Sequence, residues 1–481
     1  MQPPRMDILL AHAYTLYDDP HERRVMKPYP PLGLLHLSSY LKQRGYSVGV
    51  YDSTFKHAAD FDAALTGHRP SVVGIYVNLM TKFAALDMIR KAKTAGAWVV
   101  IGGPEPPFYA YEYLTRGADV VVIGEGEHAL DELLPALIRG GKRGLESIAG
   151  IAYVNDDGTL VQTEPRPLIQ DLSCLPWPDR EAIDIPEYLR IWKEHHGRSS
   201  ISVIHARGCP YTCQWCSHSV FGTSHRRRTP EDAADELRWI KDRYAPDMVW
   251  YADDVFAMNH RWLRAYAAAL DARGVKLPFE CISRADRLTE PIVQLLADMG
   301  CFRLWNGSES GSQRVLDAMD RKVDAADVRV KTHLLQAHGI EAGMFIMLGY
   351  DGETVADIEE TVAHLKAANP DIFLTTIAYP IRGTPFYTKV EARILSNKPW
   401  DARSDRDLTI GGRYSRRFYQ FATRWMVSEV ALSRAVKAGS VPLKRRVKLW
   451  LSAKIGRAGM ALTCRGIERT GTPVLAQSAG G

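Results

Sequence analysis

The chain has 481 residues, of which 46 % are apolar and 24 % charged, and a net charge of +5. That length exceeds one ordinary domain and predicts two or three, each with its own core, while so mild a charge gives no ground for a nucleic-acid partner. The start "MDILLAHAY" lacks a charged-then-apolar leader and no run of about eighteen apolar residues occurs, so the chain is expected in the cytoplasm with its seven cysteines reduced. Such cysteines serve as metal ligands or catalysts more often than as disulfide halves.

From residue 6 to 150 strand and helix alternate. The short apolar runs "DILLA", "YSVGVYD", "SVVGIYV", "WVVIGG" and "ADVVVIG" are rich in Val and Ile, as parallel strands buried on both faces should be. Helices are expected between them, over 33–44, 82–95 and 127–139. Five such units predict a doubly wound parallel sheet with its ligand at the carboxyl ends of the strands. Those ends carry "NLMT", "GGPEPPF" and "GEGE", where Gly102, Gly103, Gly124 and Gly126 let backbone approach a bulky ligand or simply turn the chain. No G-x-G-x-x-G follows the first strand, which disfavours a dinucleotide.

Residues 151–199 read as a connector: a hairpin with an Asp-Gly turn in "GIAYVNDDGTLVQTEP", then the proline-rich "LPWPDREAIDIPEY". Over 200–395 alternation returns, with strands expected in "ISVIHAR", "DMVWYADD", "FECISR", "FRLWNGSES", "GMFIMLG" and "DIFLTTIAYP", and helices over 230–243, 289–299 and 353–367. Six units predict an incomplete parallel barrel with its chemistry at the C-terminal strand ends. Residues 396–481 read as helical. The segment "LKRRVKLWLSAKIGRAGMAL" is basic and amphipathic; it suits an anionic membrane surface, but packing on the barrel with solvated cations is favoured. The tail "GTPVLAQSAGG" is expected to be disordered.

The barrel's first strand leads into "HARGCPYTCQWCSHSVFG", with Cys209, Cys213 and Cys216 inside eight positions. A structural zinc site wants four ligands, which His218 or His225 would have to complete. Ferredoxin-type clusters also use four cysteines. Three thiolates on a cubane cluster leave one iron open for a substrate. The other cysteines, Cys174, Cys281, Cys301 and Cys464, are scattered and read as buried or incidental.

The spacing C-x3-C-x2-C, with Trp215 before the last cysteine, resembles the signature of the radical S-adenosylmethionine (SAM) superfamily. The resemblance implies a [4Fe-4S] cluster on Cys209, Cys213 and Cys216, whose open iron takes the amino and carboxylate groups of SAM, and reductive cleavage to a 5′-deoxyadenosyl radical that abstracts hydrogen. "WYADDVF" resembles the family's second-strand segment. "GSESGSQRVLDAMDRK" resembles the segment that contacts SAM, which assigns that role to Glu309 and Ser310, with Trp215 beside them. Arg284 of "SRAD" is placed to meet a carboxylate, as an arginine fork does well. "GMFIMLGYDGET" and "YPIRGTPFY" resemble the fifth and sixth strand segments. A doubly wound domain ahead of such a barrel resembles the cobalamin-binding class, through "YPPLGLLHLSSYLKQRGYSVGVYD", "GGPEPPFY" and "GADVVVIGEGE". Cobalamin would then lie between the domains, held around Pro31, Gly33, Asn78, Gly102, Gly103, Pro104, Glu125 and Gly126. Two departures stand out. The nearest string to a cobalt-ligating D-x-H-x-x-G is "DPHERR", which lacks the glycine and leaves His21 out of the site. Glu105 also follows "GGP", where relatives often carry His.

The implied fold is α/β throughout: a Rossmann-like cobalamin-binding domain over 1–150, a linker over 151–199, a partial (β/α)6 radical SAM barrel over 200–395 and a helical C-terminal region. The implied activity is methylation of an unactivated carbon, with SAM serving as radical source and as methyl donor to cobalamin. The cofactors supply the hard chemistry. Oxidative cyclisation or rearrangement with the same cofactors, as in the anaerobic magnesium-protoporphyrin monomethyl ester cyclase, is the alternative. A non-catalytic iron–sulfur or zinc sensor is the reading from another class. The expected partners are a small-molecule substrate and a flavodoxin- or ferredoxin-like electron donor. Trp250, Tyr251, Trp305 and Tyr379 stand near strand ends, as core or as an apolar substrate wall.

Overall fold

The computed structural model describes residues 5–467 and 471–474. Its N-terminal half is one seven-stranded sheet. Five parallel strands, Ile8–His12 (β1), Val48–Asp52 (β2), Val72–Tyr76 (β3), Trp98–Gly102 (β4) and Val120–Val122 (β5), are ordered β2-β1-β3-β4-β5. Strands β1 and β3 to β5 are almost entirely buried, because helices cover both faces of the sheet. The chain reverses its direction of travel between β1 and β3, which is where a doubly wound sheet opens a crevice. The expected helices form over Leu32–Gln43, Lys82–Thr94 and Gly126–Gly140. A further helix, Asp60–His68, has an acidic first turn that suits the helix dipole.

The Asp-Gly hairpin does not stand apart in a connector. Its strands, Ile151–Val154 (β6) and Leu160–Gln162 (β7), add antiparallel to the β5 edge. The proline-rich stretch after it ends in a helix, Ile185–His196, which Asp184 caps by accepting from the Glu187 N–H.

The second sheet has six parallel strands and is an open barrel. Ser200–Val203 (β8) leads into a two-residue ribbon of Ala206–Arg207 (β9) and Arg226–Arg227 (β10). Then come Met248–Tyr251 (β11), Phe279–Ser283 (β12), Cys301–Glu309 (β13), Glu341–Leu348 (β14) and Ile372–Ile377 (β15), in the order β15-β14-β13-β12-β11-β8. Helices Pro230–Tyr244, Glu290–Asp298 and Val355–Ala368 lie where the apolar periodicity puts them; Pro230 and Pro291 stand at N1 or N2, where a missing N–H is harmless.

The C-terminal region holds the long helices Arg416–Ala438 and Leu443–Thr463, packed on each other. It also holds a small sheet of Ile394–Ser396, Thr409–Ile410 and Thr472–Pro473, so the first residues of the expected disordered tail are paired, while 475–481 lie outside the described residues. Among the described residues no helix is long and apolar enough to cross a membrane.

Candidate active site at the mouth of the two sheets

The carboxyl ends of both sheets open on one cavity of about 780 Å³. From the first sheet it receives His12, Tyr76, Gly102, Gly103, Pro104 and the "GEGE" loop, together with Pro31 and Gly33 at the start of the Leu32–Gln43 helix. From the barrel it receives Cys209, Cys213, Trp215, Cys216, Arg284 and Glu309. A volume of that order suits a bound small molecule.

Backbone demands explain two glycines. Gly103 has φ +115°, and a Cβ there would stand 2.4 Å from the Val77 carbonyl oxygen, so β3 and β4 can run side by side into the cavity only with glycine at this turn. At Gly208, with φ +84°, a Cβ would stand 2.4 Å from the Ser224 carbonyl oxygen, so only glycine lets the chain leave the ribbon for the cysteine loop this close to Ser224.

The cysteine loop is held on three sides. Gln214 N–H donates to Met319 O (3.0 Å), Phe386 N–H donates to Gln214 O (2.8 Å), and the Thr212 hydroxyl donates to Asp320 (2.6 Å). Two buried guanidiniums reach Cys213 Sγ at 3.9 Å each, Arg284 through Nη1 and Arg321 through Nη1. The Cys213 thiol is pulled down to about 7, first by a hydrogen bond from Cys216 and then by the charge of Arg284, against its own burial. The partner thiol of Cys216 is pushed up by that hydrogen bond and by burial. Arg284 does not wait for an incoming carboxylate with both fork nitrogens free. Its Nε donates to Asp286 (2.8 Å), its Nη2 to Arg321 O (2.9 Å), and its guanidinium lies 3.5 Å from the centre of the Tyr211 ring. The sequence missed Arg321, which lies past the Gln313–Ala318 helix and reaches Cys213 only because its Nε and Nη2 are held by the Gly307 carbonyl of β13.

Glu309 stands at the end of β13 with φ +61°, a left-handed conformation that is strained for a residue with a side chain. Strain of this kind costs on the order of 1–3 kcal/mol and gathers at functional sites. The carboxyl is buried, and desolvation followed by the neighbouring Cys213 pushes it up to about 8. A cationic group entering the cavity would offset that desolvation.

Two expected contacts lie elsewhere. Ser310 does not line the cavity: its hydroxyl shares a hydrogen bond with Thr361 (3.1 Å) and accepts from the Ser312 N–H (3.2 Å). Here the small residues let the segment pack beneath the Val355–Ala368 helix, where a Cβ on Gly311 would meet His364 at 2.4 Å. Asn78 also stays out of the cavity. Its Oδ1 accepts from the Met80 and Thr81 N–H groups (2.8 and 3.1 Å) and turns the chain into the next helix. Glu105 likewise faces away, toward Lys82 (3.5 Å) and the Tyr113 hydroxyl (2.9 Å).

Glu125 lines the cavity but is bound to protein. Arg207 Nη1 donates to its Oε1 (2.7 Å), Arg226 Nη1 to its Oε2 (2.9 Å), and the Ile169 N–H to its Oε2 (2.8 Å); Arg207 Nη2 also bonds Glu127. These carboxylates stand at the start of the Gly126–Gly140 helix that follows β5 and the arginines come from the β9–β10 ribbon, so a buried ion network joins the two halves at the cavity wall.

His12, which ends β1 and lines the cavity 3.6 Å from Asp52, was missed because a lone histidine at a strand end carries no spacing signal. His21 begins the short Glu22–Val25 helix and does not line the cavity. His218 lines it and His225 does not, and among the described residues no three histidine, cysteine, aspartate or glutamate side chains are grouped around a single-ion position. Cys281 and Cys301 are buried, Cys464 is half-buried and Cys174 is exposed. None of Trp250, Tyr251, Trp305 and Tyr379 lines the cavity. Tyr251 is barrel core against Phe256, Tyr266 and Phe279, and the aromatic wall is made by Tyr29, Tyr76, Tyr211, Phe221 and Phe345.

The family model of the B12 binding domain matches residues 24–134, and that of the radical SAM superfamily matches residues 203–365. The chain therefore carries a B12-binding domain followed by a radical SAM domain. Among its relatives, an uncharacterized methyltransferase of Pyrococcus horikoshii is 28 % identical over 363 residues, spanning 74 % of this chain and 77 % of that protein. An anaerobic magnesium-protoporphyrin IX monomethyl ester cyclase of Synechocystis is 25 % identical over 387 residues, 77 % of this chain and 76 % of that one. The fold matches the solved structure of the cobalamin-dependent SAM radical enzyme OxsB with a TM-score of 0.72 at 18 % identity, covering 95 % of this chain and 72 % of that one. The residues fit the groups this family carries. Three thiols face an open cavity, a strained buried carboxylate stands beside them, and glycine-rich strand ends leave room opposite.

Proposed function

We propose that the protein is a cobalamin-dependent radical SAM methyltransferase acting on an unactivated carbon. The single cavity shared by the carboxyl ends of both sheets carries the reading, because a methyl donor on one wall and a radical source on the other would face the same substrate carbon. Cys209, Cys213 and Cys216 would hold the [4Fe-4S] cluster. Glu309 would accept from the ammonium of SAM, and Arg284 and Arg321 would stabilise negative charge at Cys213. The loops of Pro31, Gly33, Gly103, Pro104 and Gly126 would support the corrin. When bound, these groups supply a 5′-deoxyadenosyl radical for hydrogen abstraction and a methyl group for transfer. Leu10, Leu34, Ile75, Val100 and Val122 make that wall apolar and keep water from the reacting carbon.

The test needs no substrate. Protein made anaerobically in cobalamin-fed cells is reconstituted, reduced and given SAM. Methylation of bound cobalamin, read by absorbance, and S-adenosylhomocysteine, read by mass spectrometry, should rise together. Formation of 5′-deoxyadenosine with cobalamin left unmethylated would overturn the methyltransferase reading. It would favour the oxidative cyclase, which the similarity to the Synechocystis cyclase supports as the second reading.

A further inference from the structure

The helix Leu443–Thr463 is fixed to the molecule by its small residues. Gly456 approaches Trp425, where a Cβ would stand 2.6 Å from the backbone nitrogen, and Gly459 approaches the Phe421 ring at 2.4 Å. Ala453 and Met460 are buried on the same side. This choice of inner face turns the larger apolar residues outward. Leu443 is 72 % exposed and Leu462 85 %, while Val447, Trp450, Leu451 and Ile455 are each close to half exposed. At 100° per residue Leu443, Val447, Trp450, Leu451 and Ile455 fall on one stripe, opposite the glycines. A helix that only packed on the barrel would have put these side chains inside.

Charge follows the same surface. Residues 430–467 contain nine Lys and Arg and no Asp or Glu. Among the described residues Lys444, Arg445, Arg446, Lys448 and Lys454 make no ion pair, whereas Arg457 bonds Glu359. Apolar residues that include a tryptophan, flanked by unpaired cations on a helix lying on the outside of the molecule, suit the boundary between lipid headgroups and acyl chains. A nucleic acid would use the cations and leave the leucine, valine and isoleucine side chains without a partner.

We propose that this helix docks the protein on a bilayer surface containing anionic lipid. The sequence alone favoured burial of the segment; exposure of its apolar side reverses that preference. The cations bring the surface to the membrane, and Val447, Trp450, Leu451 and Ile455 enter the interface. No spanning segment is needed, and the mode of attachment is independent of the reaction in the cavity.

The test is co-sedimentation of the full chain with vesicles of phosphatidylcholine, alone or with about 30 % phosphatidylglycerol. Retention is expected on the anionic vesicles and should weaken at high salt. The Leu451→Glu/Ile455→Glu variant should lose about 10-fold or more in partitioning. The Lys444→Ala/Arg445→Ala/Lys448→Ala variant should lose about 10- to 100-fold. Brominated lipid should quench wild-type fluorescence more than that of Trp450→Phe. All substituted side chains are exposed, and unchanged thermal melting verifies folding. Wild type that stays in the supernatant with both vesicles overturns the proposal. So does loss of binding in the charge variant alone, which would mean that the face reads phosphate without lipid. A concentration-dependent dimer abolished by Leu451→Glu/Ile455→Glu, with no vesicle binding, would assign the face to a second copy and overturn it equally.

Discussion

Arg207 is the side chain that bonds both Glu125 and Glu127 across the two halves, and replacing it with methionine tests what that link contributes. Its own side chain is 10 % exposed, and those of Glu125 and Glu127 are 3 % and 4 % exposed. In Arg207→Met, Glu125 keeps Arg226 and the Ile169 N–H, but Glu127 loses the cation that faces it. Breaking a buried pair from one side costs about 3–5 kcal/mol, since a charge is left without compensation. Only one of the two carboxylates is stranded, so a loss near 3 kcal/mol is expected. A urea titration should show it in the transition that releases the β9–β10 ribbon, read by limited proteolysis alongside circular dichroism because a chain of several domains need not unfold in one step. The double variant Arg207→Met/Glu127→Gln removes the stranded charge and should recover most of the loss. A single variant within about 1 kcal/mol of wild type, or a double variant no better than the single, would refute the reasoning.

Gly103→Ala forces a Cβ to 2.4 Å from the Val77 carbonyl at φ +115°, so β3 and β4 must separate; a loss of about 2–4 kcal/mol is expected, measured by thermal unfolding. Cys213→Ala should abolish the iron and the visible absorption of reconstituted protein, whereas Cys174→Ala, at an exposed thiol, should keep both. Glu353 is pushed from 4.5 up to about 8 by burial, against the Gly349 N–H that favours its charged form. A raised acid contributes stability that is full below pH 4.5 and is lost as pH climbs through 8, at a slope on the order of 1.4 kcal/mol per pH unit. Glu353→Gln should flatten that part of the stability–pH curve, and a curve with the same slope as wild type would count against the burial argument.

Much of this protein follows from its sequence alone. Runs such as "SVVGIYV" and "ADVVVIG" are apolar without alternation, which only strands covered on both faces tolerate, so the parallel sheets and their order along the chain were legible. The cysteine loop was equally plain, because C-x3-C-x2-C places its three thiols within eight positions of one loop. Contacts between distant residues were not legible. Ser310 and Asn78 sit in segments of the expected kind, yet local hydrogen bonds turn both away from the cavity, and a motif does not record which way a side chain points. Arg207, Arg226 and Arg321 carried no spacing signal, since their partners lie 80 or more residues away in most cases and only the folding of one sheet against the other brings them together. The last helix shows the same division. Composition made it basic and amphipathic, but two glycines against Trp425 and Phe421 decided which side faces out, because only the residues without a side chain allow two helices to approach so closely.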